Sequence, residues 1–483
     1  MKKNIAIYIF IAVILFSTAL TVDAESLQEP LQSAEDWVKN TFKDNIVSQK
    51  IFLKKLQTIR SIQTSDSEKI KLLQKEFPQV FNTSLAEQLR VAKLLGIVFT
   101  SDNKTILNCT NTAITRVLIP DCVTHIGNEA FQKCDKLTHV EIPGNVISIG
   151  ENAFYRCDKL QSVTMTDNVR SIGKGAFSWC RSLKSIRLSQ TLTELPDDIF
   201  YLCESLENID FPRRMTSIGS GAFSKSGLKH VSLPPTLKEI PASLFGGSKL
   251  ESVHIPGTVR TIGTNAFASC DNLKKVYLYE GLENIEKSAF SSSQSLSDIT
   301  IPASVKNIAD GAFAGVNKIS CSPENKIFMV DKNGALINTD SGHILALSGN
   351  FRGVYSIPEG ITTIRPYAFT QCFELESVIF PSTLQGLDCY AFCNSGIKYI
   401  SIPPGITTIR EYTFYNCNRL KKVHLPKSVS YFERNAFKNC IRLTDINLEH
   451  VKDILSSAVQ NTPYKSHYNI YDGISGKYYR HRH

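Results

Sequence analysis

The chain has 483 residues, 42% hydrophobic and 20% charged, a composition that excludes wholesale disorder and is too long for one ordinary core. Its formal charge of +9, from 54 Lys and Arg against 45 Asp and Glu, is mild for this length. No basic stripe with interleaved aromatics accompanies it, so nucleic acid is not an expected partner.

The first residues read as an export signal. Lys2 and Lys3 form a positive start, Ile5 to Leu20 an apolar stretch, and Val22-Asp23-Ala24 a cleavage site, which makes Glu25 the expected mature N-terminus. The competing reading, an uncleaved anchor, suffers because the stretch is short for a span of about 20 residues. No second apolar run of that length occurs later in the chain, so no transmembrane span is expected in the mature chain.

Residues 25–95 are rich in Glu, Lys, Gln and Leu and poor in Gly. Ser33-x-x-Asp36 and Ser84-x-x-Glu87 have the form of capping boxes, and Trp37, Phe42, Ile46 and Leu53 share one helical face. A small helical region of about three helices is expected. It serves either as a cap on the rest of the chain or as a separate binding module, and the need to cover an open end favours the cap.

From residue 96 the pattern changes. A short meander is expected first, with strands at 97–99, 105–107 and 116–119. Then an Ala-Phe dipeptide or a near variant recurs. The Phe positions are 131, 154, 177, 200, 223, 245, 267, 290 and 313, then 369, 392, 414 and 437, with Val459 as a worn last member. The step is 22 or 23 residues except between Phe313 and Phe369. These positions hold half of the chain's 26 Phe, which makes the repeat the organising feature.

Within one unit Val140, Glu141 and Ile142 alternate as a short strand, and Pro143 ends it. Val146 and Ile149 point inward. Gly150 is expected to turn the chain with φ above zero, and Ala153-Phe154 to form a compact, single-turn helical segment. No such unit buries its own apolar face, but stacked units do, with Phe forming a spine. The fold expected is an α/β repeat solenoid, β-rich, of about 14 turns.

Sub-array 1 covers 96–320 and sub-array 2 covers 358–462, with a tail at 463–483. Between the sub-arrays, 321–357 reads as a β-meander with strands at 327–330, 335–337, 344–347 and 354–357 and a turn at Asn333-Gly334.

The consensus Cys157-x-x-Leu160-x-x-Val163, an apolar-Pro step, then Ile-Gly-x-x-Ala-Phe-x-x-Cys resembles the Treponema-type or BspA-like leucine-rich repeat. The resemblance spans roughly residues 97–460. It implies a leucine-rich-repeat horseshoe on a secreted or cell-surface protein, and attachment to host matrix proteins or other cells. Departures are local: Pro196 and Pro241 replace the turn Gly, while Thr166, Ser189 and Tyr279 replace the strand-ending Pro.

Thirteen cysteines in an exported chain invite a disulfide or metal reading. Eight of them, Cys134, Cys157, Cys180, Cys203, Cys270, Cys372, Cys417 and Cys440, come three residues after the repeat Phe. They are expected as a column of buried thiols rather than converging ligands. A Cys109–Cys122 bridge is conceivable near the first meander. Gly173-Lys174-Gly175 and Gly219-Ser220-Gly221 belong to the repeat turn and lack the setting of a phosphate loop. No hydrolase elbow, zinc-protease motif or Walker lysine occurs, so no catalytic residue, cofactor or metal is assigned.

The residues flanking each inward strand position point outward and vary freely. Among them Tyr277 with Lys275 and Tyr399 with Ile379 stand out as contact points for a protein partner, joined by His254 and His424, since aromatic and apolar side chains dominate hot spots. The expected function is binding of proteins as an adhesin or surface antigen. The alternative is a self-associating component of an envelope or extracellular layer.

Overall fold

The computed structural model describes residues 85–463, 469–472 and 477–480. The export signal and the helical region before residue 85 lie outside the described residues. The chain divides into two units between Leu94 and Leu95. In the described part of the first, an α-helix spans Leu85–Leu94.

The second unit is a β-solenoid of about 15 coils. Most coils contribute a strand of two to five residues to a parallel face, such as His139–Ile142, Ser162–Met165 and Ser185–Arg187, and the ladder is interrupted in the coils around residues 207–233. Their register matches the repeat, with Val140 opposite Val163 and Val163 opposite Ile186. Most coils add a two-residue strand to a second sheet, such as Ser148–Ile149 paired with Ser171–Ile172. The unit begins with an antiparallel pair, Ile97–Phe99 with Thr105–Cys109. The expected strand at 116–119 is reduced to a single bridge between Arg116 and His139.

The third side of the coil is where Ala153-Phe154 lies. It is a run of turns, not a helical turn. Asn152 and Arg156, two residues either side of Phe154, adopt left-handed φ of 52° and 58°. That conformation aims alternate amides along the stack. Asn152, Phe154 and Arg156 each donate an N–H to the next coil, at Lys174 (2.9 Å), Ala176 (2.8 Å) and Ser178 (3.0 Å). The turn side is thus hydrogen-bonded from coil to coil like the two sheets, which satisfies backbone groups that would otherwise be buried unpaired.

Gly150 is not the residue with positive φ; that role falls on Asn152. Gly150 is required for close approach instead. A Cβ there would stand 2.5 Å from the Asn128 amide nitrogen, and one on Gly173 would stand 2.4 Å from that of Glu151. The neighbouring coil leaves no room for a side chain at these points.

Inside, the Phe rings are stacked, with centroids 4.8 to 5.9 Å apart through Phe313 and again from Phe369 to Phe437. Burial of each ring contributes about 1.5–3 kcal/mol, with about 1 kcal/mol more from ring pairing.

The insertion also joins the coil. Phe328–Val330, Ala335–Asn338 and His343–Leu347 form an antiparallel meander, and the last strand pairs in parallel with Thr363–Ile364. Leu347 takes the spine position: its N–H donates to Ala368 at 2.7 Å, as a spine Phe does. Two polar links bind the coils on either side. The Arg365 guanidinium donates to the Asp310 carboxylate at 3.0 Å, and the Gln371 amide donates to Ser292 Oγ at 3.0 Å.

Candidate functional site

Three parallel strands, Ser252–His254, Lys275–Tyr277 and Asp298–Ile301, carry a cluster of outward aromatic and charged groups. Their central residues Val253, Val276 and Ile299 are buried, so the flanking side chains face solvent. The parallel register sets Ser252, Lys275 and Asp298 side by side, and His254 beside Tyr277.

The structure brings three of the expected residues into contact. The His254 ring lies on the Tyr277 ring at 3.8 Å between centroids and 7° between planes. Lys275 Nζ sits 4.6 Å from the Tyr277 ring centroid and 2.6 Å from the Asp298 carboxylate. The Asp298 carboxylate, and Tyr277 beside it, hold the Lys275 ammonium above the usual lysine range.

Tyr279 belongs to this cluster as well, although strand alternation did not single it out. Its hydroxyl is 2.9 Å from His254 Nδ1, and it pins the imidazole over Tyr277. A signal was present: Tyr279 puts an aromatic where the repeat ends its strand with Pro.

Ile379, Tyr399 and His424 lie on three successive strands, Leu375–Ile379, Tyr399–Ser401 and Lys422–His424. Ile379 and Tyr399 are large and exposed, at 58% and 48%. Ser377 Oγ donates to the Tyr399 carbonyl at 2.8 Å, which holds that strand edge to its neighbour. His424 is opposite Ser401 and exposed. This second group is led by the apolar Ile379 and Tyr399, and the strands Ser320–Cys321 and Gly353–Ser356 come between it and the first.

The cysteine column has a physical reason. All eight members are fully buried, and most donate their thiol across the stack. Cys157 reaches the Phe131 carbonyl at 3.2 Å, and Cys180 and Cys203 repeat the contact with Phe154 and Phe177. Where Ser replaces Cys, the same bond persists: Ser293 Oγ donates to the Phe267 carbonyl at 2.7 Å.

No bridge joins Cys109 to Cys122; both are free thiols. Cys122 Sγ turns to the Asn103 carbonyl at 3.3 Å, and Cys109 neighbours Cys134 instead. Among the described residues, no three His, Cys, Asp or Glu side chains converge as metal ligands. No helix there is long and apolar enough to cross a membrane.

Repeats matching the family described as BspA type leucine rich repeat region cover residues 103–229, 193–320 and 353–465, in six copies. The chain belongs to the BspA-type leucine-rich-repeat family. No enzyme family is indicated for it. No curated protein matches the sequence.

Solved structures that resemble this BspA-type chain include three from bacterial proteins. A leucine rich cell surface protein from Faecalibacterium prausnitzii is 26% identical over 76% of this chain and 90% of its own, with a TM-score of 0.49. A leucine-rich repeat protein from Bacteroides ovatus is 23% identical over 67% and 84%, with a TM-score of 0.43. The pneumococcal vaccine antigen PcpA is 17% identical over 77% and 89%, with a TM-score of 0.42.

Proposed function

We propose that this BspA-type protein is exported, with cleavage after Ala24, and works as a binding scaffold for other proteins, as an adhesin or surface antigen that contacts host matrix or cells. The observation that carries this reading is the assembled platform on the outer sheet face. His254, Tyr277, Tyr279 and Lys275 hold one another in place before any partner arrives. Rigid aromatic groups lose little conformational freedom on binding, and such residues supply most of the affinity at protein interfaces. Ile379 and Tyr399 offer a second, apolar contact on the same kind of surface, with His424 at its margin.

The test is binding of the chain starting at Glu25 to immobilised extracellular-matrix glycoproteins. Saturable binding that weakens about tenfold or more in Tyr277→Ala, and less in Tyr399→Ala, is the expected result. Binding indifferent to both changes removes the outer face from the reading. Concentration-dependent assembly with no partner, and no matrix binding, establishes the self-associating envelope component in its place.

A further inference from the structure

A cleft opens on the turn side of the solenoid, away from the outer sheet face. It is a shallow, half-open groove with a volume of about 380 Å³. It spans three consecutive coils. Tyr155 and Tyr201 line it from the first and third, and Gly175 and Ser178 from the middle one. The coils are separated by spine-ring steps of 5.3 and 5.9 Å, so the two tyrosines stand two steps apart with small residues between them.

The floor is kept bare by the backbone. Gly175 has φ of +62°, and a Cβ on it would meet Asn152 Oδ1 at 2.5 Å. The rim carries the carboxylates of Glu151 and Asp198, the Asn152 amide and the Lys174 ammonium. Lys174 and Asp198 are 3.6 Å apart and well exposed, an ion pair weak enough in water to exchange for hydroxyl partners.

A second observation marks the same edge. Two residues after the spine Phe, the backbone must be left-handed. Most later coils meet this with Gly, Ser or Asn, as at Gly247, Ser269, Ser292, Gly315, Asn394, Asn416, Asn439 and Asn461, while Lys133, Lys225 and Gln371 hold it elsewhere in the stack. Around the cleft the same column holds Arg156, Trp179 and Leu202, with φ of 58°, 63° and 59°. The Trp179 ring is held between the Arg156 and Arg181 guanidinium groups, at 5.0 and 4.9 Å, with its edge against Tyr201 at 6.3 Å.

We propose that this cleft binds a neutral saccharide. The Tyr155 and Tyr201 rings that line the cleft suit the C–H faces of a sugar ring, with the Lys225 ammonium over the Tyr201 ring at 5.7 Å. The carboxylates, amide and ammonium on the rim suit vicinal hydroxyls, which both donate and accept. Two rim carboxylates against one rim ammonium disfavour an acidic sugar, the Arg156 and Arg181 guanidinium groups beside the cleft being engaged on the Trp179 ring and Arg181 also paired with Glu204; a wholly apolar ligand would leave the rim groups desolvated and unpaired.

The sequence holds two tryptophans, so Trp37→Phe leaves Trp179 as the sole indole reporter beside the cleft. Neutral trisaccharides of glucose, galactose and N-acetylglucosamine would be titrated into that variant, with heat and Trp179 emission monitored together. The expected result is saturable binding of at least one of them that perturbs Trp179.

Tyr155→Ser and Tyr201→Ser each weaken this binding by about tenfold or more. Both variants are expected to fold, because Ser178, Ser224 and Ser291 already occupy the equivalent position in other coils, and an unchanged thermal midpoint verifies it. Lack of binding by every neutral trisaccharide overturns the proposal. So does binding that survives both tyrosine changes, or tighter binding of a sialylated trisaccharide or of choline than of any neutral sugar. Because Tyr277 and Tyr399 play no part here, failure of this site leaves the protein-binding reading untouched.

Discussion

The Cys157 thiol donates to the carbonyl of Phe131, 26 residues earlier in the chain and one coil away, at 3.2 Å. This contact makes the column a set of coil-to-coil hydrogen bonds as well as small apolar fillers. Cys157→Ala, which removes the donor and leaves a void, should cost about 2 kcal/mol of stability. Cys157→Ser should cost less, since Ser293 already forms the equivalent bond. Chemical denaturation of the two variants checks the order; equal losses would show that the thiol acts by volume alone.

Burial pushes the thiols of Cys157 and Cys372 up to about 12, from an ordinary value of 9.0. The unfolded chain therefore releases these protons at lower pH than the folded one. Their contribution to stability is complete below pH 9 and is lost as pH rises from 9 to about 12. Urea midpoints measured under reducing conditions should be insensitive to thiol ionisation up to pH 9 and fall above it. The fall should be smaller in Cys157→Ser.

Lys133 is exposed, with φ of 58°, in a column that the last coils fill with Asn. Lys133→Asn should raise stability by about 1 kcal/mol, because Asn tolerates the left-handed region that a long side chain disfavours. Thermal unfolding reads this directly. A lower midpoint would mean that the lysine side chain contributes more than its backbone strain costs.

Gly173 has ordinary φ but no room for a Cβ, which would lie 2.4 Å from the Glu151 amide nitrogen. Gly173→Ala should destabilise by more than about 2 kcal/mol, since only a shift of one coil against the next relieves the clash. The measurement is the denaturant midpoint, with the slope monitored for a change in cooperativity.

Tyr279→Phe removes the hydroxyl that fixes His254 and keeps the ring. At this exposed position the stability change should stay within about 0.5 kcal/mol. Affinity for a matrix partner should drop by about 1 kcal/mol, as His254 loses its fixed pose over Tyr277. Surface-bound assays of the purified variant decide the matter; unchanged affinity would leave the His254–Tyr277 stack without a role in recognition.

The period, the Phe spine, the inward cysteines and the strands that carry the outer face are all legible in the order of the amino acids. The physical reason is that a solenoid makes residues 22 or 23 apart into neighbours, so its core is written as columns aligned to that step. Features that depend on backbone hand or side-chain reach are not written that way. Gly150 was legible as a turn glycine, but only the packed coils show that it is bare for clearance and that Asn152 carries the positive φ. Leu347 in the spine and Arg365 on Asp310 arise because the insertion folds into the stack, which no regular spacing announces. At the outer face, His254, Tyr277 and Lys275 could be read from the pattern. Tyr279 joined them only because a strand-ending position curls its side chain back within 2.9 Å of the imidazole.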